Sequence, residues 1–296
     1  MPKTTSRLDV RKTYKLYIGG KFPRSESGRY FPLNGPDGKT LIANVAFASR
    51  KDLRDAVTAA TTAAPGWASA NPVLRGQILY RSAEMLEARL SAFVEELCLQ
   101  TGEAPAKARR EVEKSIDRLV WYAGWADKFA QLFGCVNPVA APFFNFTLPE
   151  PMGVVGLVAP NDAPLLAVVS KIAPAIVSGN AAVLIASERF PLSALSFGEV
   201  LATSDLPSGV VNILSGPRSE LLPVLAKHMG VQGIDYSGRD AAEITLLQRE
   251  GAANVKRVIV RPDPHGAAWW NESAAQSPYW IESLCEMKTA WHPIGV

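Results

Sequence analysis

Apolar residues along the chain follow two regimes. Up to about Ala123 most recur at three- and four-residue intervals, and from Val154 they come in short unbroken runs. In the first regime, Ser49 with Asp52 three residues on forms a capping box for a helix carrying Leu53, Ala56, Val57 and Ala60, which Pro65-Gly66 ends. Asn71-Pro72 starts a second helix with Ile78, Leu79, Met85 and Leu86 on its apolar face. A third holds Phe93, Val94 and Leu97 before Thr101-Gly102 breaks the pattern. A long fourth begins near Ala106, with Val112, Ile116, Leu119, Val120 and Ala123 inward. Ahead of these, Tyr14 to Phe22 reads as a short hairpin around Gly19-Gly20. The turn signal Asn34-Gly35-Pro36-Asp37-Gly38 precedes a strand at Leu41 to Phe47.

In the second regime, Val154 to Ala159 has the composition of a central strand covered on both faces. A helix over Leu165 to Val177 follows, ending at Gly179. Strands at Ala182 to Ile185, Val210 to Leu214, Gly233 to Tyr236 and Lys256 to Val260 then alternate with helices at Pro191 to Ser204, Glu220 to His228 and Ala241 to Arg249. Alternation at this spacing implies right-handed βαβ crossovers, hence an α/β fold with a Rossmann-like, doubly wound parallel sheet. Beyond the last strand, His265 to Tyr279 is aromatic and irregular. A short helix at Trp280 to Cys285 and an extended strand at Met287 to Ile294 close the chain.

At 296 residues, 48% of them hydrophobic and 20% charged, the chain can bury a sizeable core in one or two domains. The net charge of +3 argues for neither a nucleic-acid nor a membrane partner. The densest basic stretch, Lys107 to Arg110, is interleaved with Glu111 and Glu113 and reads as a solvated helix face. Three cysteines, Cys98, Cys135 and Cys285, form neither a disulfide framework nor a metal-ligand cluster. Residues Met1 to Lys15 lack the apolar core of a secretory signal. Gly153 to Ala186 is interrupted by Pro160, Asn161, Asp162, Pro164 and Pro174, so it is not a membrane span. A cytoplasmic protein is the expectation.

The wording at the element junctions resembles the aldehyde dehydrogenase superfamily. The matches are Tyr17-Ile18-Gly19-Gly20-Lys21, Tyr122-Ala123-Gly124-Trp125-Ala126-Asp127-Lys128 and Glu150-Pro151-Met152-Gly153-Val154-Val155-Gly156. Further along come Lys171-Ile172-Ala173-Pro174-Ala175 with Gly179-Asn180, Leu206 to Asn212, and the closing Glu286-Met287-Lys288-Thr289. The resemblance implies a cofactor-binding-type domain over residues 1–136 and 151–268. It also implies a small β flap for oligomerisation over 137–150 and 281–296. Residues 265–280 then form a linker where the family has its cysteine-bearing catalytic domain. Met1 and the match to the family's closing strand favour a natural short form over a fragment.

Aldehyde oxidation needs a thiolate, an oxyanion donor, NAD(P) and a carboxylate base. The resemblance places Asp162 where the family has an oxyanion-binding Asn, Arg261 where it has the general-base Glu, and Asp263-Pro264 where it has a Gly pair. Cys285 is flanked by acids, Cys98 lies between leucines, and His228, His265 and His292 are far apart in sequence. No catalytic residue is therefore expected, and the chain is predicted inactive alone. For a cofactor, the resemblance implies Pro160, Glu188, Gly216, Ser237, Gly238 and Arg239, with NAD or NADP as the ligand. Ile185 replaces the ribose-binding Lys, Arg239 the phosphate-binding Ser, and Glu243 a second glycine. These loops are equally explained as turns that the fold itself needs. The segments around Phe143 to Leu148 and Ala241 to Gln248 correspond to the family's subunit contacts. The leading expectation is a non-catalytic subunit partnered by a full-length aldehyde dehydrogenase, or a homodimer. The alternatives are a divergent NAD(P)-dependent oxidoreductase acting on aldehydes and a dinucleotide-binding sensor.

Overall fold

The computed structural model describes residues 11–261 and 267–295. An N-terminal three-stranded sheet comprises β1 (Thr13–Tyr14), β2 (Tyr30–Asn34) and β3 (Leu41–Ala46), in the order β1-β3-β2. Four helices follow: α1 (Arg50–Ser69), α2 (Pro72–Glu87), α3 (Leu90–Thr101) and α4 (Pro105–Ala123). The short α5 (Phe129–Phe133) leads to β4 (Cys135–Asn137) and β5 (Phe143–Pro151). The central unit then alternates β6 (Val154–Val158), α6 (Leu166–Val177), β7 (Ala181–Ile185), α7 (Leu192–Ala202), β8 (Val211–Leu214), α8 (Arg218–Lys227), β9 (Gly233–Ser237), α9 (Ala241–Ala252) and β10 (Arg257–Arg261). Three one-turn helices, α10 (Ala267–Trp270), α11 (Glu272–Ala275) and α12 (Tyr279–Glu282), precede the closing β11 (Cys285–Pro293).

The central strands form one all-parallel sheet in the order β10-β9-β6-β7-β8. Every residue of β6 to β9 is buried, which is why β6 and β7 read as unbroken apolar runs; β8 and β9 also bury Asn212, Asp235 and Ser237. The order reverses between β6 and β9, so the carboxyl ends of those two strands flank the crevice of a doubly wound sheet. The β8 edge is closed by Tyr17, which exchanges backbone hydrogen bonds with Ile213 at 3.0 and 2.7 Å. Gly19-Gly20 makes the tight turn of the expected short hairpin: Ile18 and Lys21 exchange backbone hydrogen bonds at 3.0 Å, and Leu16 N donates to the Pro23 carbonyl at 3.1 Å.

Two departures from the expected elements lie in the helices. The capping box at Ser49 is present, yet α1 continues through Pro65 to Ser69. Trp67 is buried and donates its indole N–H to the Ile176 carbonyl at 2.8 Å, anchoring the turn beyond the proline. That tertiary anchor outweighs the lost backbone bond. In α4, Val120 faces solvent while Glu111, Ser115, Arg118 and Tyr122 point inward. Val112 and Leu119 are buried as the spacing expects, but the stripe they belong to is partly polar and turns away from Val120, and Glu111 does not belong to the solvated face.

The C-terminal segment packs instead of looping. Trp269, Ala275, Ile281 and Leu284 are all buried. Asn180 fastens the segment to the sheet: its side chain accepts from Gly153 N and donates to the Leu284 carbonyl, both at 2.9 and 2.8 Å respectively. β11 then pairs antiparallel with β5 over nine residues, Cys285 opposite Pro151 through Pro293 opposite Phe143, in a separate sheet of order β11-β5-β4.

Candidate functional site

The loops that follow β6 and β9 open on the crevice. After β6, Pro160-Asn161-Asp162-Ala163-Pro164 carries the chain into α6, with Ala163 held at a φ of 47°. After β9, Ser237-Gly238-Arg239-Asp240 leads into α9, where the Asp240 carboxylate caps the helix by accepting from Ala242 N at 2.8 Å and Glu243 N at 3.1 Å. The two loops enclose a cavity of about 290 Å³ lined by Pro160, Asp162, Arg218, Ser237, Gly238 and Arg239, among others. Of the six residues implied for a cofactor, Pro160, Ser237, Gly238 and Arg239 thus come together. Glu188 and Gly216 do not line this cavity.

Glu188 and Gly216 follow β7 and β8, on the far side of β6 from β9, and Arg218 links their side of the sheet to the cavity. Gly216 turns after β8 with a φ of +156° beside the Ala48 backbone, and the chain enters α8 two residues later. The Glu188 carboxylate accepts from the Arg218 backbone N–H at 2.5 Å, so it is engaged by the helix itself. The Arg218 guanidinium then crosses the crevice, donating to the Ala159 carbonyl at the end of β6 and to Glu243 Oε2 in the first turn of α9 at 3.4 Å. Glu243 Oε2 also accepts from the Tyr236 hydroxyl at 2.6 Å. Burial and then the Glu243 carboxylate both push the Tyr236 phenol well above its ordinary range. Gly238 is explained by the same tyrosine, since a Cβ there would lie 2.3 Å from its hydroxyl. The buried Ser237 Oγ has no hydrogen-bond partner among the described residues.

A second constellation lies beside α6. The Glu111 carboxylate reaches from α4 to accept from Leu165 N at 2.8 Å and Leu166 N at 3.2 Å, capping α6 from a neighbouring helix. Burial pushes this carboxyl up to about 7 despite the two backbone donors. Lys171 and Asp235, both fully enclosed, form an ion pair of 2.5 Å. Arg261, at the end of β10, pairs with the other Asp235 oxygen at 2.7 Å and donates to Ser283 Oγ at 2.8 Å. Burial pulls Lys171 down to about 8. For Asp235 burial acts upward, but the two cations outweigh it and hold the carboxyl below its ordinary range.

The C-terminal segment lies over this group. Trp280 stacks on the Arg261 guanidinium at 3.8 Å and Trp269 packs on Leu166 and Ala167. Arg118 donates to the Trp269 carbonyl at 3.0 Å, and the Tyr122 hydroxyl to that of Ala275 at 3.0 Å. Sequence reading did not single out Arg118, Lys171 or Asp235. A signal existed: Lys171 and Asp235 are opposite charges inside otherwise apolar elements, which implies a buried pair. Arg261, read as a replacement for a base, is an inward-facing structural cation. Cys285 is buried, which drives its thiol up to about 12, and its Sγ lies 3.3 Å from the Ile281 carbonyl. His228 accepts from Gly230 N in a turn, His292 lies exposed on β11, and His265 with Asp263-Pro264 falls outside the described residues. No cluster of metal-ligating side chains occurs among the described residues. No described helix is long and apolar enough to cross a membrane.

The parallel sheet, its crevice and the separate β4-β5-β11 sheet can be compared with known proteins. Residues 22–262 match the family model described as the aldehyde dehydrogenase family. The chain belongs to the aldehyde dehydrogenase family. Retinal dehydrogenase 2 of Gallus gallus is 34% identical over 264 residues, covering 88% of this chain and 50% of that protein. An aldehyde dehydrogenase of Davidiella tassiana is 32% identical over 246 residues, 83% of this chain and 49% of that one. Among solved structures, PnpE from Pseudomonas sp. WBC-3 superposes with a TM-score of 0.80 at 30% identity, over 84% of this chain and 50% of that one. An NAD+ complex of an aldehyde dehydrogenase from Bacillus cereus does so with a TM-score of 0.80 at 26% identity. This aldehyde dehydrogenase family member spans about half the length of the curated relatives it matches. A dinucleotide laid across its crevice would meet the Arg218 side chain and the Glu243 carboxylate, and the residues present do not fit one there.

Proposed function

We propose that the protein is a non-catalytic aldehyde-dehydrogenase-like subunit that assembles with a full-length relative. The observation that carries this reading is the open edge of the β11-β5-β4 sheet. β11 lies outermost, and seven of its nine residues are exposed, including Met287 and Trp291. Phe144 and Leu148 on β5 and Val136 on β4 are exposed as well. Nine residues of unpaired strand edge flanked by large apolar side chains are a template for strand addition by another chain. Helix α9 supports the same reading, because only Leu247 and Gly251 along it are buried. The family's own receiving sheet lies in the domain for which residues 262–284 leave no room. A second copy of this chain offers no such sheet, so a full-length subunit is the favoured partner over a homodimer. Three free thiols fit residence in the reducing cytoplasm.

Co-expression with a full-length aldehyde dehydrogenase, followed by native mass spectrometry, tests the proposal. We expect a mixed oligomer that is lost in Met287→Glu/Trp291→Glu, which places charge on the edge strand. A clean monomer, or a self-dimer indifferent to full-length relatives, refutes it.

A further inference from the structure

Helix N-termini at the carboxyl edge of a parallel sheet are ready-made anion sites, because their first N–H groups lack partners inside the helix. Four helices start at that edge here. Three have N-terminal N–H groups bonded to a carboxylate of the same chain, and in the fourth, α7, Leu192 N donates to the Gln100 side-chain oxygen at 3.0 Å. Glu111 takes Leu165 N and Leu166 N before α6, Glu188 takes Arg218 N of α8, and Asp240 takes Ala242 N and Glu243 N of α9. Arg218 then spans the strand-order reversal to Ala159 and Glu243, with its side chain only 10% exposed. A pyrophosphate entering beside α9 would meet the Asp240 and Glu243 carboxylates, and would have to compete with the Asp240 acceptor for N–H donors already bonded.

We infer that Arg218, Glu243 and Tyr236 form a built-in latch that occupies the nucleotide crevice, excludes a dinucleotide and ties α9 to β6 without a ligand. The guanidinium and its carboxylate partner stand where a bound nucleotide would join the two halves of the sheet. The crevice therefore does not depend on the cell's nicotinamide cofactors for its order. This inference is independent of the partner proposal, and assembly with a full-length relative stands or falls on its own experiment.

Titration of the full-length chain with NAD+ and with NADP+ by isothermal calorimetry tests the latch. The wild type is expected to show no saturable binding up to about 1 mM, the level at which binding free energy has fallen to about 4 kcal/mol. Arg218→Thr/Glu243→Gly removes both halves of the latch, and is expected to gain saturable binding at least about tenfold tighter than that limit. Arg218→Thr alone leaves α9 unaltered, so it serves if the double variant does not fold, with the same gain expected in a weaker form. Saturable binding to the wild type overturns the inference. So does a cooperatively folding Arg218→Thr or double variant that still fails to bind either dinucleotide.

Discussion

Replacing Lys171 by Met should destabilise the protein more than its modest change in volume suggests. Met preserves most of the aliphatic packing inside α6 but removes the ammonium 2.5 Å from Asp235, a carboxylate that is 1% exposed. Asp235 keeps Arg261 at 2.7 Å on its other oxygen, so it is left half-paired and not bare. Breaking a buried pair by removing one partner costs about 3–5 kcal/mol, and the surviving Arg261 places the loss near about 3 kcal/mol. For a chain of this size that corresponds to a fall in Tm of about 6–12 °C. Adding Asp235→Asn removes the orphaned charge while keeping an acceptor for Arg261, so the double variant should be more stable than Lys171→Met alone. Urea unfolding followed by far-UV circular dichroism, with all variants compared at equal slope, measures both effects. The reasoning fails if Lys171→Met lies within about 1 kcal/mol of the wild type, or if Asp235→Asn adds to the loss.

Glu111 gives a pH-dependent prediction. Its carboxyl, raised by burial from 4.5 to about 7, contributes stability that is complete below pH 4.5 and is lost as pH rises through 7. At about 1.4 kcal/mol per pH unit the loss is about 3 kcal/mol, and Glu111→Gln, which still accepts from Leu165 and Leu166, should abolish it. Urea unfolding at pH 5 and pH 8 should show the variant gaining on the wild type only at the higher pH. Trp269→Ala removes the buried ring over Leu166 and Ala167, so the C-terminal segment should loosen by about 3 kcal/mol, read as faster proteolysis near Trp270 and Trp280. Gly238→Ala should cost about 1–3 kcal/mol through its clash with the Tyr236 hydroxyl and ring, and Tyr236→Phe, which removes the oxygen at 2.3 Å but keeps the ring carbon at 2.6 Å, should relieve only part of it. Thermal unfolding of the four proteins in that cycle gives the coupling, and simple additivity would contradict the contact.

How much of this was legible depended on the range of the interaction. The capping box at Ser49, the turn at Gly19-Gly20 and the buried strands β6 to β9 are short-range or compositional features, and they appear where the patterns place them. Pro65 misled because a residue far along the chain, Ile176, receives the Trp67 indole and keeps the helix going. Val120 misled because Glu111 and Arg118, polar by type, are drawn inward by α6 and Trp269. In the crevice, the loops that hold Pro160, Ser237, Gly238 and Arg239 could be located by their wording. That Arg218 would close the space between them depends on Glu243, 25 residues on, and on a carbonyl 59 residues back. The packing of residues 267–284 was hidden for the same reason: its tryptophans find their partners on α4 and α6, and no local period marks them.

The nine-residue pairing of β11 with β5 also bears on how many copies of this protein a cell can keep. If a full-length relative covers this strand edge, as proposed, the useful amount of one product is tied to the supply of another. Copies made in excess would expose Phe144, Met287 and Trp291 to one another, and to the proteases and chaperones that patrol such surfaces. Abundance would then be set after synthesis, by the stoichiometry of assembly, and the protein should disappear from cells in which its partner is deleted.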